Sequence, residues 1–146
     1  MQKEVLKIYT DGACSGNPGH GGWGVVMLYG DAQKKLCGSE ADTTNNRMEL
    51  MAVIKGLQAV KRSTLIEIYS DSSYVVNAIN NGWLEKWQRN GWRTGAKQEV
   101  KNQDLWTQII EFNKKFRPKY IKVKGHSDNE YNNRADALAV GAIKKS

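Results

Sequence analysis

Four carboxylate side chains lie at the predicted ends of strands or starts of helices. Asp11 and Asp71 end predicted strands, whereas Glu49 and Asp136 lie in the first turns of predicted helices. If the two strands are parallel neighbours, Asp11 and Asp71 emerge side by side at the carboxyl edge of a sheet, where ligands of α/β proteins gather. The two helix starts then bring Glu49 and Asp136 to the same edge.

Four carboxylates in one place repel each other unless a cation neutralises them. Hard oxygen ligands suit Mg²⁺ or Mn²⁺, which keep several waters and accept phosphate oxygens. A pair of such ions ~3.5–4 Å apart can activate water and hold the leaving oxygen when a phosphodiester is cleaved. The four acids therefore indicate metal-assisted cleavage of a phosphodiester.

Each carboxylate alone also has a structural interpretation. An acid beside a glycine often forms a turn, an acid near a helix start can cap free N–H groups, and an acid on a helix surface is often merely solvated. These alternatives apply to Asp11-Gly12 as a turn, Asn46 with Glu49 as a capping box, Asp71-Ser72 as a cap, and Asp136 as a solvated residue. Because the convergence depends on the assumed fold, spacing alone does not establish a site.

His126 lies ten positions before Asp136 in a predicted loop. A lone loop histidine is usually just exposed. Beside a metal site, however, its titratable imidazole could relay a proton to or from the attacking water or the leaving group. We therefore add His126 to the candidate catalytic residues.

Patterns of apolar residues predict the elements that would position these side chains. The predicted strands, the first three in an antiparallel meander, are Val5–Thr10, Gly24–Tyr29, Lys34–Ser39, Leu65–Ser70 and Tyr120–Lys124. The glycine-rich residues 15–22 are predicted to be a loop. Predicted helices begin near residues 44, 72 and 101, and a last one carries Ala135, Leu138, Ala139 and Ala142. This order predicts an α/β fold with a mixed sheet of about five strands and helices on its faces.

The composition is that of a basic globular protein. The chain has 146 residues, of which 40% are hydrophobic, with a net charge of +7 and an isoelectric point near 9.4. We expect one domain over residues 1–146 and a polyanionic partner such as nucleic acid. No stretch approaches the ~20 apolar residues of a membrane helix. The charged start lacks the apolar region of a signal peptide, so we expect a cytoplasmic protein without a membrane partner.

Cations and tryptophans alternate in residues 83–101. The segment has only two acids, Glu85 and Glu99, beside Trp83, Trp87, Trp92, Lys86, Arg89, Arg93, Lys97 and Lys101. Aromatic rings beside cations fit contacts with a nucleic-acid backbone. Alternatively, the tryptophans form a small core and the cations a solvated face. We expect both, with Trp87 and Trp92 mainly buried and Trp83 at the nucleic acid.

Taken in order, these blocks resemble type 1 ribonuclease H of the bacterial ribonuclease HI kind. The resemblance covers nearly the whole chain, through residues 9–14 (YTDGAC), 16–19 (GNPG), 21–24 (GGWG), 43–50 (TTNNRMEL), 71–75, 83–106 and 123–136. It implies a five-stranded mixed sheet and endonucleolytic hydrolysis of the RNA strand of RNA–DNA hybrids. It also implies two Mg²⁺ ions, for which Mn²⁺ can substitute, and products with 5′-phosphate and 3′-hydroxyl ends.

The resemblance also implies a role for each site residue. Asp11 would bridge both ions, and Asp136 would help hold the ion that activates water. Glu49 and Asp71 would hold the ion at the leaving group. His126 would assist proton transfer or product release.

The same resemblance implies the residues that contact the hybrid. Asn17 and Asn45 would read the minor groove and the RNA 2′-hydroxyls, which distinguish RNA from DNA. Thr44 and Asn102 would hold a phosphate of the DNA strand. The basic protrusion, at about residues 83–101, would lie against that strand through Trp83, Lys86, Arg89, Arg93 and Lys97.

Three residues depart from the family pattern. Asp42 stands where many relatives have a basic residue, which predicts a weaker grip on the DNA phosphate. Ser73 occupies a substrate-binding position where relatives commonly have Gln, which removes one groove contact. Asp128 stands where a Gly often follows the histidine. None of these departures touches the four carboxylates.

We therefore expect a monomeric ribonuclease H, and three alternatives stay open. A junction resolvase or other nuclease of the same fold would share the carboxylates but would not need the block at residues 44–46 or the tryptophan-rich basic segment. A non-catalytic hybrid-binding module would tolerate loss of a carboxylate, whereas this chain has all four. The middle segments resemble bacterial enzymes, which argues mildly against a detached reverse-transcriptase domain.

Overall fold

The computed structural model describes residues 4–61, 64–94, 96–124 and 129–145. Its elements are, in chain order, β1 Val5–Cys14, β2 Gly19–Tyr29, β3 Ala32–Thr43, α1 Asn45–Gln58, β4 Leu65–Ser70, α2 Ser73–Asn80, α3 Trp83–Arg89, α4 Gln103–Phe116, β5 Lys119–Lys122 and α5 Glu130–Lys145. The predicted α/β class and five-stranded sheet are confirmed. Within these residues, no helix is long and apolar enough to span a bilayer.

The five strands form one mixed sheet in the order β3-β2-β1-β4-β5. The first three strands pair antiparallel, as the predicted meander requires, whereas β1–β4 and β4–β5 are parallel. The parallel pairing of β1 with β4 ends at Thr10 and Ser70. Asp11 and Asp71 are therefore the first residues beyond this pairing on two adjacent strands.

The alternation of side chains along β1 and β2 divides the interior between two faces of the sheet. Ile8 and Val25 are fully buried in the larger core, to which α1 contributes Leu50, Val53, Ile54 and Leu57. Tyr9 and Val26 face the other side and form a smaller cluster with Ala135 of α5. Burying each large aliphatic side chain contributes about 1.5–3 kcal/mol, so the two clusters fix α1 and α5 on opposite faces.

The β1–β2 hairpin is longer than predicted. Asp11 does not end β1, because that strand stays paired with β2 as far as Cys14. Similarly, β2 begins at Gly19, so residues 19–22 are strand rather than loop. The glycines in this strand meet close neighbours, since a Cβ atom at Gly21 would lie 2.8 Å from the Met48 Cγ. They provide room for packing instead of loop flexibility.

The helix starts also differ from the predictions. Thr44, and not Asn46, is the N-cap of α1, and its hydroxyl accepts a hydrogen bond from the Arg47 amide at 3.2 Å. Ser72, and not Asp71, caps α2 by accepting from the Val75 amide at 3.2 Å. Since other side chains cap both helices, Glu49 and Asp71 are not engaged as caps.

Candidate metal centre

Three acids from three different elements meet at the carboxyl edge of the sheet. Asp11 of β1, Glu49 in the first turns of α1 and Asp71 just after β4 each offer one carboxylate oxygen, and these oxygens lie within 4.8 Å of one another. Asp11 and Glu49 are buried, with 4% and 5% of their surface exposed, and Asp71 is half-buried. The trio could therefore hold a metal ion.

Asp136 joins the trio from the opposite face of the sheet. It is the seventh residue of α5, so the expectation that it begins this helix was wrong. Its carboxyl group lies close enough to that of Asp11 to raise the pKa of Asp11. The contact therefore brings the fourth acid beside the trio.

Burial and mutual repulsion hold protons on the site. Burial, followed by the charge of Glu49 and contact with Asp136, raises the pKa of Asp11 to about 10. Burial and the charge of Asp71 raise the pKa of Glu49 to about 8, although hydrogen bonds from Asp11 and the Gly12 backbone N–H act in the opposite direction. These carboxylates can all ionise near neutral pH only if positive charge is supplied.

The described residues do not supply that charge. Ion pairs in these parts of the chain join Arg47 to Asp104, Lys114 to Glu111 and Arg134 to Glu130, and none of them reaches the four acids. The Glu49 Oε1 atom is buried and has no hydrogen-bond partner among the residues of the structure that are described. A buried, unpartnered carboxylate oxygen among other acids fits a hard divalent cation.

The predicted proton-relay residue, His126, lies outside the described residues, as does Asp128. The role of His126 in proton transfer or product release therefore stays a prediction.

The residues predicted to contact RNA are close to this edge. The Asn17 Oδ1 atom, in the connection between β1 and β2, accepts a hydrogen bond from the Asn45 backbone N–H at 3.2 Å. Asn17, Asn45 and Ser73 are exposed. Since Asn45 starts α1 and Glu49 follows one turn later, this bond holds two candidate groove contacts beside the acids.

Thr44 and Asn102, predicted to hold a DNA phosphate, are both linked to Arg47. Asn102 adopts a left-handed backbone conformation with φ of 65°, which asparagine tolerates better than most residues. Its Oδ1 accepts from the Arg47 Nη1 at 3.2 Å, and its Nδ2 donates to the Tyr74 hydroxyl at 3.1 Å. The Arg47 guanidinium also binds Asp104 with two hydrogen bonds, of 2.7 and 3.0 Å.

Sequence reasoning missed this network. Tyr74 accepts a second hydrogen bond, from the indole N–H of the fully buried Trp106 at 2.9 Å. Arg47 and Asp104 are 57 residues apart and follow no recognisable spacing, so only the fold reveals their pairing. The network fixes the start of α4, and with it Asn102, beside the start of α1.

In the basic segment, α3 is followed by an isolated backbone β-bridge, in which Arg93 pairs antiparallel with Glu99. Trp83 is 40% exposed, whereas Trp87 packs edge-on against Trp106 with ring centroids 5.9 Å apart. Trp92 also packs against the core. The four predicted contact cations are exposed and form no ion pair among the described residues, namely Lys86, Arg89, Arg93 and Lys97.

Comparison with known proteins agrees with this arrangement. The family model for RNase H matches residues 3–144. The chain is 58% identical to ribonuclease H of Chlorobium chlorochromatii, over 100% of this chain and 99% of that protein. It is 57% identical to ribonuclease H of Thermoanaerobacter pseudethanolicus, over 98% and 92% of the two chains. The crystal structure of LC9-RNase H1, a type 1 RNase H with the type 2 active-site motif, matches with a TM-score of 0.85 and 26% identity, covering 99% of this chain and 74% of the other.

Proposed function

Because this chain belongs to the ribonuclease H family and is an enzyme of that family, we propose that it hydrolyses the RNA strand of RNA–DNA hybrids at the acidic site. The observation that carries the proposal is the meeting of Asp11, Glu49 and Asp71 within 4.8 Å, with a buried Glu49 oxygen that has no partner among the described residues. This arrangement supports the binding of divalent cations.

The proposed cofactor is a pair of Mg²⁺ ions, with Mn²⁺ as a substitute, held by Asp11, Glu49, Asp71 and Asp136. When bound, the ions would activate water and stabilise the leaving oxygen, giving 5′-phosphate and 3′-hydroxyl ends. Asp11 occupies the centre of the group and would contact both ions. Burial of Asp11 and Glu49 excludes bulk water and strengthens their attraction for a cation. His126 would donate or accept a proton at the reacting oxygens.

Selection of the hybrid would depend on residues around the acids. Asn17 and Asn45 are exposed and linked by a hydrogen bond, so they can present amide groups to 2′-hydroxyls in the minor groove. Ser73, also exposed, offers only a short hydroxyl there. Thr44 and Asn102 would hold a DNA phosphate, and Asp42, which is exposed on the same approach to α1, would weaken that contact by repulsion.

We further propose that residues 1–146 act as one catalytic domain, monomeric and cytoplasmic, whose basic protrusion lies against the DNA strand. The exposed cations of the segment that carries Trp83, which form no ion pair with any described residue, support this role, because fixed positive charge beside an exposed aromatic ring suits a nucleic-acid backbone.

The decisive experiment compares four labelled substrates, namely an RNA–DNA hybrid, duplex RNA, duplex DNA and a four-way DNA junction, with Mg²⁺ and with EDTA. We expect metal-dependent cutting of the RNA strand of the hybrid alone, with 5′-phosphate and 3′-hydroxyl ends. Asp11→Asn should abolish cutting while hybrid binding is retained. Comparable cutting of the DNA junction would favour a resolvase, and binding without any cutting would favour a non-catalytic module.

A further inference from the structure

We infer that Gly12 and Gly24 are positioning residues of the acidic site. Because neither has a side chain, α1 and α5 lie against the sheet closely enough to bring Glu49 and Asp136 to Asp11. This inference rests on the proposed function in that it takes the four acids to be the metal ligands.

Gly12 makes room for the backbone of α1. A Cβ atom at this position would overlap the Glu49 amide nitrogen and the Met48 carbonyl carbon, and would lie 2.8 Å from the Met48 Cβ. The neighbours are backbone atoms of a helix, which cannot rotate away as a flexible side chain can. In addition, the Gly12 backbone N–H faces the Glu49 carboxylate. Gly12 thus sets the distance of Glu49 from β1.

Gly24 makes room for the backbone of α5 on the other face. It lies directly opposite Asp11 in the antiparallel pairing of β1 and β2. A Cβ atom here would overlap the Ala135 carbonyl oxygen and would lie 2.8 Å from the Leu138 Cβ and 2.9 Å from the Ala139 nitrogen. Since Ala135 immediately precedes Asp136, α5 lies close against the sheet beside the acid that contacts Asp11.

These glycines are required for space and not for backbone conformation. The glycines with left-handed φ values in the described parts of the chain are Gly30, Gly82 and Gly91, so Gly12 and Gly24 adopt φ values open to any residue. Alanine at either position would therefore fit its own strand. The strain would arise only where the added methyl group meets the helix that carries a metal ligand.

The contacts of Gly12 with α1 and of Gly24 with α5 lie on opposite faces of the sheet. Adjacent residues of a strand point to opposite faces, whereas directly opposed residues of paired strands share a face. Gly12 therefore faces α1, and Gly24 shares with Asp11 the face covered by α5. A methyl group at either position would need its helix to retreat by about 1 Å to regain normal contact, and misplacement of that size can lower a rate by about 100-fold.

The test measures Mn²⁺ binding to the protein without nucleic acid, by isothermal titration calorimetry, for wild type, Gly12→Ala and Gly24→Ala. We expect each substitution to weaken Mn²⁺ binding by about 10–100-fold, as loss of a residue that orients a ligand does. The kcat for hybrid cleavage should fall by about 100-fold, while KM for the hybrid changes little. A loss of folded structure alone would not lower Mn²⁺ affinity and kcat while leaving KM unchanged.

The matched control is Gly38→Ala on β3. A Cβ atom there would lie 2.6–2.8 Å from atoms of the Trp23 ring, so this position is also crowded, but it meets a side chain and no helix that carries an acid. We expect it to lower the melting temperature without changing Mn²⁺ affinity. Unchanged Mn²⁺ affinity in Gly12→Ala and Gly24→Ala, or an equal loss in Gly38→Ala, would overturn the inference.

A compensating substitution provides a second, independent measurement. In Gly24→Ala, Asp136→Glu adds one methylene to the side chain and should recover part of the lost Mn²⁺ affinity, whereas the same change in wild type should weaken binding. Absence of recovery, or unfolding of both glycine variants as judged by circular dichroism, would assign the glycines to stability of the fold and reject a positioning role. Failure of the proposed function would instead be seen in wild type, as cutting that survives EDTA or as no cutting of the hybrid.

Discussion

Replacement of Asp11 by asparagine is expected to make the metal-free protein more stable at neutral pH, although it removes the central acid of the site. Asp11 is 4% exposed and is surrounded by Glu49, Asp71 and Asp136. Asparagine has nearly the same shape, carries no charge, and its amide can donate a hydrogen bond to the neighbouring Asp136 carboxylate. The substitution therefore relieves repulsion without leaving a cavity.

The size of the effect follows from the pKa of Asp11. Burial, followed by the charge of Glu49, raises this pKa from 3.8 to about 10, so the folded protein binds the proton more tightly than the unfolded chain does. The stability due to this proton is fully present below about pH 4 and is lost as the pH rises towards 10. Between 3.8 and pH 7 there are roughly three pKa units at about 1.4 kcal/mol each, which sets an upper limit of about 4 kcal/mol.

Glu49, whose pKa is also raised, competes for the same protons. The loss of stability at pH 7 is therefore shared between Asp11 and Glu49. We expect Asp11→Asn to stabilise the protein by about 1–3 kcal/mol at pH 7, or about 3–10 °C in melting temperature for a chain of this length. The gain should grow between pH 5 and pH 9, because wild type loses stability over that range.

The assay is thermal unfolding followed by circular dichroism in EDTA at pH 5, 7 and 9. Asp104→Asn is the matched control, since contact with Arg47 lowers the pKa of Asp104 and its loss should destabilise slightly, by less than about 1 kcal/mol for this exposed pair. Addition of Mn²⁺ should stabilise wild type more than Asp11→Asn. Equal or lower stability of Asp11→Asn at all three pH values would refute the reasoning.

Three further predictions concern other parts of the molecule. His126→Ala should slow hybrid cleavage by about 10²–10⁴-fold without eliminating it, and a loss as complete as that of Asp11→Asn in steady-state assays would show that His126 does more than transfer a proton. Tyr74→Phe should destabilise the protein by about 1–3 kcal/mol in urea unfolding, because it leaves the buried Trp106 N–H without its acceptor; an unchanged midpoint would show that this donor finds another partner. The last prediction concerns the four exposed cations of the basic segment, Lys86, Arg89, Arg93 and Lys97. Replacing all four by alanine should raise KM, leave kcat nearly unchanged and reduce the slope of log affinity against log salt by about 0.9 per lost phosphate contact. Parallel plots for the two proteins would exclude contact of these cations with the hybrid.

The sequence predicted the sheet well because strands of this protein are bounded by strong signals. Residues 65–70 are a short, largely apolar run followed by an acid and a capping serine, and β4 has those bounds. The meeting of Asp11 with Asp71 followed from assuming that their strands are parallel neighbours, which the register of β1 with β4 shows them to be. Residues that follow directly after paired strands can thus be placed without knowing any side-chain packing.

The differences arise where packing overrides local preference. Residues 19–22 resemble a loop because glycine is rare inside strands, but here α1 and α5 lie close against Gly21 and Gly22 and leave no space for a side chain at either position. The start of α5 could not be predicted, since Asp136 and Glu130 are both suitable first-turn residues. Likewise, the contacts of Arg47 with Asn102 and Asp104 join residues more than 50 positions apart, so local sequence patterns do not predict them.

The order of the strands has a consequence for behaviour at high protein concentration. Strands β3 and β5 are the two edges of the sheet, and an unpaired edge can add a strand from another molecule and start aggregation. Here β3 carries Lys34 and Lys35, while β5 has only four residues, follows Pro118 and contains Lys119 and Lys122. Joining two such edges would strip these lysine side chains of water, which is unfavourable. The lysines that make the protein basic therefore also oppose fibril-like association of its sheets.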